Sequence, residues 1–341
     1  MRLGWSALFL LPVLANDGFI HQSAGNLMFV KNDQVAIQRE RLVVGPSRPT
    51  KYGTNEIPFH VEYELENLGP SEVDAQIGFP LAACNVNDFI GARIGDFGTG
   101  SSATCGKQNP AMSLVVDGDA KAGAWDYVFL KDGAPLQDEA LARKLREVFK
   151  LIRDPQVDHA LDPMFSAFGA LCAEQGGRMK DQECSSLGNI FVHWTFIWSH
   201  RFAPGAKAHV VHDYAVAASA NRHPEDVFKS DVFCLADPST LSAWKKYRAD
   251  LAKEEAAYMA APTDNYPWPR EFFTEYVLHT GALWAGPIRD FELVIRKSAP
   301  GDLISTCFTG LKKTGPLEFT AHRTGFSPTE DLRILYLPAT R

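Results

Sequence analysis

The sequence predicts a mainly β protein with helical insertions, built of two β-sandwich-like parts with antiparallel sheets and linked by disulfides. Three observations lead to this fold class. Short segments in both halves of the chain alternate apolar and polar residues. Two intervening stretches carry helical spacing instead, and six cysteines are spread along the 341 residues. A chain of this length is long enough for two packed cores.

The start of the chain has the three parts of an export signal, so residues 1–15 are predicted to be a signal peptide. Arg2 precedes an apolar run over residues 3–14, and Ala15 completes a cleavage site resembling A-x-A. The run is shorter than the roughly 20 apolar residues that span a bilayer. We therefore expect cleavage after Ala15, a periplasmic or secreted location, and no membrane span in the mature chain.

Residues 16–135 are predicted to form an N-terminal β domain. The segments "QVAIQRERLVV", "IPFHVEYELENL" and "SEVDAQIGFPL" alternate apolar and polar residues. The Gly- and Ser-rich stretch "GARIGDFGTGSSATCGKQNP" is predicted to be a loop. A loop fits the stretch better than a phosphate cradle does, because it lacks the G-x-x-x-x-G-K-[ST] spacing and no helical pattern follows it.

Residues 136–188 are predicted to be a helical insertion. In "LQDEALARKLREVFKLI" the apolar residues recur every three or four positions, which is typical of one face of a helix. The stretch "MFSAFGALCAEQGG" predicts a second helix that ends at Gly176.

Residues 189–341 are predicted to be a C-terminal β domain with a long helix at 238–260. The segments "NIFVHWTFIWSH" and "KAHVVHDYAVAAS" flank "RFAPGA", which predicts a β-hairpin. The long helix is expected to begin with Asp237 as N-cap and Pro238 at its first position. Four or five strands in an antiparallel arrangement are expected after it.

The six cysteines predict disulfides in an exported chain. They form no C-x-x-C pair, so neither a zinc knuckle nor a thioredoxin-like redox pair is indicated. Pairing in sequence order is the simplest of the 15 pairings that six cysteines allow. It would join Cys84 to Cys105, Cys172 to Cys184 and Cys234 to Cys307.

The charge and the missing motifs exclude several classes of function. A formal net charge of −7 argues against nucleic acid or an anionic membrane surface as a partner, because both need a basic face. There is no G-x-S-x-G pentapeptide for a hydrolase, and no dinucleotide fingerprint follows a predicted strand. The sequence therefore predicts no cofactor.

The histidines are the first candidates for chemistry. If the predicted hairpin turns at Pro204 and Gly205, His200 faces His209, and two histidines on paired strands can begin a metal site. The sequence shows no third ligand, so no metal is predicted. His212, in "VVHDY", is interpreted first as a hydrogen-bonded structural residue.

Large aromatic residues at predicted loops are the candidates for binding. Tyr266 and Trp268 lie in "NYPWP", and Trp284 lies in the Gly- and Pro-rich connection at 281–287. Because Trp and Tyr are favoured anchors in recognition, these three are predicted binding residues, together with His212. The alternative for Trp284 is that it plugs the open end of a sandwich.

The segments "EYVLHTGALWAGPIRDFELVIRK", "FAPGAKAHVVHDY" and "GNLMFVKNDQVAIQRERLVV" resemble the bacterial domain-of-unknown-function 4424 family. The resemblance covers most of the mature sequence in order. The family typically shows T-G-A-N-W where this chain has Leu283 before Trp284. The resemblance implies an exported bacterial protein, and it implies no activity and no catalytic residues.

The predicted function is that of an exported, soluble cell-envelope protein without catalytic activity, a binding or structural module for a protein, a glycan or a small ligand. The alternative is a periplasmic hydrolase or metal-dependent enzyme with a site around His212. A cleft that holds His212, Asp213 and another acid or histidine would favour the enzyme, whereas an exposed aromatic patch would favour binding.

Overall fold

The computed structural model describes residues 17–23, 26–49, 55–81, 84–87, 112–132, 134–151, 161–180, 183–220, 233–235, 238–261 and 272–338. These residues form a mainly β fold with largely antiparallel sheets, as the sequence predicts. The predicted signal peptide, Cys105, Tyr266 and Trp268 lie outside the described residues.

The first eleven described strands precede the helical insertion. They are β1 Gly18–Ser23, β2 Asn26–Val30, β3 Val35–Val44, β4 Arg48–Pro49, β5 Asn55–Asn67, β6 Val73–Pro80, β7 Cys84–Asn85, β8 Ser113–Val116, β9 Asp119–Ala120, β10 Ala124–Lys131 and β11 Ala134–Pro135.

The later strands and the helices complete the described elements. The strands are β12 Met179–Lys180, β13 Glu183–Cys184, β14 Ile190–Phe202, β15 Lys207–Ala217, β16 Ser219–Ala220, β17 Phe272–Tyr276, β18 Ile288–Arg296, β19 Leu303–Ser305, β20 Lys312–Lys313, β21 Glu318–Phe326 and β22 Leu332–Leu337. The α-helices are α1 Glu139–Lys150, α2 Leu161–Glu174 and α3 Pro238–Ala260, and a 3-10 helix spans His279–Leu283.

Three of the sheets build the body of the protein. The seven-stranded sheet has the order β11-β10-β14-β6-β1-β2, with β7 beside β14. The nine-stranded sheet has the order β20-β21-β18-β3-β5-β15-β8-β9, with β4 beside β5, and the four-stranded sheet has the order β16-β17-β22-β19. Neighbouring strands are antiparallel except β18 and β3, which run parallel.

The nine-stranded sheet takes its strands from both expected β domains. Strands β3 and β5 precede residue 135, whereas β15, β18 and β21 follow residue 189. The two stretches of chain therefore share one sheet, and the expected boundary does not separate two sheets.

The predicted hairpin between β14 and β15 is wrong. β14 pairs with β6 and β10 in one sheet, and β15 pairs with β5 and β8 in the other, so the chain crosses between the sheets at this turn. The fully buried Asn67 stabilises the crossing, because its side-chain amide donates to the carbonyl oxygens of Phe202 and Ala203 at 3.1 Å each. His200 and His209 consequently lie opposite Ala75 and Glu64 and do not face each other.

The main hydrophobic core lies where the inner faces of the three large sheets meet. Phe79 of the seven-stranded sheet contacts Tyr214 of the nine-stranded sheet, with ring centroids 5.1 Å apart. Tyr276 of the four-stranded sheet stacks on Phe59 of the nine-stranded sheet at 5.8 Å. Burial of these large aromatic side chains is the main force that joins the sheets.

The helices form two smaller cores on the outer sides of this body. Helices α1 and α2 pack on Phe129 and Val192 of the seven-stranded sheet. α3 occupies the stretch where a long helix is predicted, and its Tyr247 and Leu251 pack on the four-stranded sheet. Among the described residues, no helix combines the length and the apolar composition that a membrane span needs.

Two of the three disulfides that pairing in sequence order predicts are confirmed. Cys172 at the end of α2 joins Cys184, with 5.7 Å between the Cα atoms. Cys234 joins Cys307, with 5.0 Å between the Cα atoms, and this bridge links the segment before α3 to the segment after β19.

Candidate functional site

A cluster of polar residues is fully buried at the junction of the three sheets. We call it the junction cluster, and its members are Asp17, Glu40, Tyr63, His212 and Tyr276. Asp17 precedes β1, and Tyr276 ends β17 of the four-stranded sheet. The other three come from neighbouring strands of the nine-stranded sheet. The cluster therefore combines groups from the start, the middle and the last third of the chain.

His212 and Asp17 form a fully buried pair in this cluster. Nε2 of His212 lies 2.8 Å from Oδ2 of Asp17, and neither side chain is exposed. The rings of Phe79 and Tyr63 lie 5.0 and 6.0 Å from the imidazole, so the pair is enclosed by aromatic groups. The pair has the form of a carboxylate that orients a histidine, but no substrate can reach it in this conformation.

The alternative enzyme site around His212 consequently finds no support in the geometry. Asp213 is the next residue of β15, and because successive side chains of a strand point to opposite faces, it lies on the outer side of the sheet, 56% exposed. The expected cleft with both residues is not formed. The interpretation of His212 as a hydrogen-bonded structural residue agrees with its burial and with its bond to Asp17.

The two tyrosines of the junction cluster form a second hydrogen-bonded group. The hydroxyls of Tyr63 and Tyr276 lie 3.0 Å apart, and the hydroxyl of Tyr276 donates to Oε1 of Glu40 at 3.4 Å. Burial raises the pKa of both hydroxyls well above the usual value, and the negative charge of Glu40 raises it further. Both tyrosines therefore stay neutral and act as hydrogen-bond donors.

Glu40 is buried because of a β-bulge, a feature that the sequence does not reveal. The pairing of β3 with β5 shifts between Ile37 and Arg39. Strict alternation from Ile37 would point Arg39 and Arg41 into the core. The bulge instead turns Glu40 inward and leaves Arg39 exposed.

Trp284 is placed in the core, which corrects its predicted role as an exposed binding residue. Its side chain is 1% exposed, and its indole packs edge-on against Phe19 with 5.0 Å between ring centroids. Its Nε1 donates to the main-chain oxygen of Asp17. The alternative that Trp284 plugs the open end of the sheets fits this position. Whether it shares a surface with Trp268 falls outside the described residues.

A buried histidine of β14 and a partly buried histidine of the 3-10 helix form a second group. Nδ1 of His193 donates to the main-chain oxygen of Leu81 at 2.8 Å, and burial lowers the pKa of His193 to about 4. His193 is therefore neutral at neutral pH, with the lone pair on Nε2. Nδ1 of His279 lies 2.7 Å from Oδ1 of Asp331, whose carboxylate also accepts from the backbone N–H of Leu278.

The exposed side of the nine-stranded sheet carries charges of both signs on four neighbouring strands. We call this surface the outer face, and its side chains are Arg39, Arg41, His60, Glu62, Asp213, Asp290 and Glu292. Nε of Arg41 lies 2.9 Å from Glu292, and His60 lies between Asp213 at 2.8 Å and Glu62 at 2.9 Å. Burial lowers the pKa of His60, but the two carboxylates outweigh this effect, so its pKa is raised from 6.5.

The described residues contain no group of three or more His, Cys, Asp or Glu side chains that could hold a metal ion. The idea of a metal site begun by His200 and His209 also loses its geometric basis, since these residues lie on different sheets.

Most of the residues described above cannot be recognised as a group in the sequence. Asp17, Glu40 and Tyr276 are separated by long stretches of chain, and no local pattern connects them. The acids and arginines of the outer face were visible only as the polar half of alternating strands. The neighbouring strands that bring them together belong to distant parts of the sequence.

Comparison with known proteins gives one family match and distant structural likenesses. The family model described as Domain of unknown function (DUF4424) matches residues 15–335. No curated protein matches the chain. A solved structure from Legionella pneumophila, provisionally described as a nutrient binding protein, has 12% identity and a TM-score of 0.47 over 96% of this chain and 72% of that chain. The M1 zinc metallopeptidase of Deinococcus radiodurans has 10% identity and a TM-score of 0.27 over 93% of this chain and 46% of that chain.

Proposed function

The chain belongs to the DUF4424 family, and from this premise we propose that it is an exported cell-envelope protein that binds a polar partner without catalysing a reaction. The disulfides Cys172–Cys184 and Cys234–Cys307 support an oxidising compartment, because such bonds persist mainly outside the cytosol. The burial of His212 and Asp17 favours a binding role over the enzymatic alternative.

The observation that carries the binding role is the outer face. Arg39, Asp290 and Asp213 are 47%, 49% and 56% exposed, and rigid paired strands hold their backbones. Exposed ion pairs contribute only about 0 to 1 kcal/mol each to folding stability. An ordered row of charges is therefore better explained by recognition of a partner than by stability.

The chemistry of the outer face indicates the class of partner. It presents charged donors from Arg39 and Arg41 beside carboxylate acceptors from Glu62, Asp213 and Asp290, and large apolar side chains do not dominate it. Such a surface matches a partner rich in hydrogen-bonding groups of both kinds, as a polar protein segment or a glycan has.

Location and binding are tested separately. The full-length chain is expressed in a Gram-negative host, and cell fractions are probed for it; we expect it in the periplasm or medium without residues 1–15. A chain that stays in the cytosol with these residues attached contradicts the export part of the proposal.

For binding, the purified protein is immobilised and challenged with periplasmic extract and with peptidoglycan fragments. The test variant is Arg41→Gln combined with Asp213→Asn, which removes one charge of each sign from the outer face. The matched control is Lys246→Gln combined with Asp250→Asn on α3, which also removes one charge of each sign. A partner retained by the wild type and the α3 control and lost by the outer-face variant supports the proposal. Equal retention by all three contradicts it.

A further inference from the structure

The side of the seven-stranded sheet that faces away from the main core carries its own small hydrophobic cluster. We call it the hairpin cluster, and its buried members are Ile20, Leu27, Val128 and Leu130. Val128 and Leu130 belong to β10, whereas Ile20 and Leu27 belong to the β1–β2 hairpin. The hairpin therefore lies over this side of the sheet and reaches across to β10.

Two fully buried polar side chains of β14 point to the side of the sheet that this hairpin covers, and the electrostatic neighbours of one of them, His193, are His279 and Asp331. His193 and Thr195 are two positions apart, so they point to the same side of the sheet, and His193 lies opposite Val128 of the hairpin cluster. Nε2 of His193 and Oγ1 of Thr195 have no hydrogen-bond partner. A buried polar atom without a partner destabilises a protein by about 1 to 3 kcal/mol, so two on one side of one strand require an explanation.

The hairpin is fixed at its base and weakly joined to the sheet beyond it. β1 pairs with β6 only at Gly18 and Phe19, whereas it pairs with β2 from Phe19 to Ser23. The base is held by the junction cluster through Asp17, and by the N–H of Asn32, which donates to the main-chain oxygen of Leu283. In the described residues, β2 forms no ladder with β10, and Ile20 and Leu27 pack against Val128 and Leu130 of that strand.

The packing under the hairpin is close, which fits a flap in its closed position. A Cβ atom at Gly78 would lie 2.0 Å from Cδ1 of Ile20 and 2.9 Å from Cγ2 of Thr195. Ile20 thus lies directly on the sheet beside Thr195, at a position where only glycine leaves room for it. If the hairpin opens, Ile20 and Leu27 leave the sheet, and His193 and Thr195 become accessible together with an apolar wall.

We propose that the β1–β2 hairpin is a flap over a ligand site, and that this site takes a small molecule with an apolar body and one hydroxyl group. His193 and Thr195 hold the hydroxyl, and Val128, Leu130 and Ile197 line the apolar wall. This inference goes beyond the proposed function, because it concerns a different surface from the outer face and a different class of ligand.

The hydroxyl follows from the two partnerless atoms. Because Nδ1 of His193 donates to Leu81, Nε2 carries the lone pair and needs a donor. The hydroxyl of Thr195 can donate to an oxygen. One hydroxyl group of a ligand can give its proton to His193 and accept the proton of Thr195, so it completes both side chains at once.

The probe for this site is 2-naphthol, and 2-methylnaphthalene is its control, since it has a similar shape and no hydroxyl. We expect saturable binding of 2-naphthol to the full-length protein in a fluorescence titration, and binding of 2-methylnaphthalene about tenfold weaker. Thr195→Val keeps the shape of the side chain and should lower the affinity for 2-naphthol about tenfold, which corresponds to the loss of about one hydrogen bond. The affinity for 2-methylnaphthalene should not change. His193→Asn, which can retain a donor toward Leu81, should act in the same direction.

Hydrogen exchange tests the flap itself. We expect the amides of residues 20–23 and 26–30 to exchange at least 100-fold faster than those of β5, and to slow when 2-naphthol is added, because local opening exposes them. The proposal is overturned if these amides exchange as slowly as those of β5. The proposal is also overturned if 2-naphthol does not bind, which is the result expected if only water occupies the site. Binding of 2-naphthol no tighter than that of 2-methylnaphthalene would overturn it as well. The outer-face variant should bind 2-naphthol like the wild type, so failure here and failure of the proposed function can be told apart.

Discussion

Replacing Trp284 with alanine tests whether this residue is a structural plug. The indole is 1% exposed, packs against Phe19, and donates to the main-chain oxygen of Asp17. Truncation of a core tryptophan to alanine destabilises a protein by roughly 3 to 5 kcal/mol. Loss of the donor adds about 1 kcal/mol or more, because it leaves a buried carbonyl without its partner. We therefore expect Trp284→Ala to lower the free energy of unfolding by about 5 kcal/mol.

Trp284→Phe is the matched variant, because it keeps an aromatic ring against Phe19 and removes the N–H donor. We expect a smaller loss of about 2 kcal/mol, and this variant remains measurable if Trp284→Ala does not fold. The assay is equilibrium unfolding in urea with the disulfides intact, followed by circular dichroism, with the slope compared between variants. If Trp284→Ala lies within 1 kcal/mol of the wild type, the residue is not a plug, and the argument from its burial is refuted.

Three further predictions concern the junction cluster, the disulfides and the acid response. Asp17→Ala and His212→Ala should each destabilise the protein by about 3 to 5 kcal/mol. The double variant should lose clearly less stability than the sum of the two single losses. Additive losses in urea unfolding would mean that the two residues are not coupled. The Cys234–Cys307 bridge spans 73 residues, and replacing both of its cysteines with alanine should lower the free energy of unfolding by about 4 kcal/mol. The Cys172–Cys184 bridge spans 12 residues, and the same replacement there should lower it by about 3 kcal/mol. A larger loss for the shorter bridge would refute the chain-entropy argument. Because the pKa of His193 falls from 6.5 to about 4 on folding, the unfolded chain binds a proton between these values that the folded protein does not. The contribution of His193 to the free energy of unfolding is complete above pH 6.5, and about 3 kcal/mol of it should be lost as the pH falls through 4. In urea unfolding, His193→Asn should lack this part of the pH dependence. An unchanged pH profile in this variant would contradict the prediction.

The sequence by itself determined the local elements of this protein. Alternation located strands such as β5 and β18, and a three- to four-residue spacing located α1, because these periods follow from backbone geometry within one segment. The disulfides Cys172–Cys184 and Cys234–Cys307 also followed from order along the chain. Family membership was visible for the same reason, since it rests on the linear order of residues.

Only the tertiary structure decided which strands pair. The turn between β14 and β15 has the residues of a hairpin, yet the strands belong to different sheets. Asn67 binds the crossing, and each strand forms its ladders with strands from distant parts of the chain. A turn fixes the local direction of the chain, and it does not fix the neighbour with which the next strand forms its ladder.

The tertiary structure also decided which polar and aromatic residues are buried. The bulge in β3 points the side chain of Glu40 into the junction cluster. Asp17 lies beside β15 and binds His212 in the interior. Trp284 became a core residue because Asp17 and Phe19 pack against it, although its own surroundings are rich in glycine and proline. Burial depends on contacts between segments that are distant in the sequence. The sequence of one segment does not show which residues of another segment will pack against it.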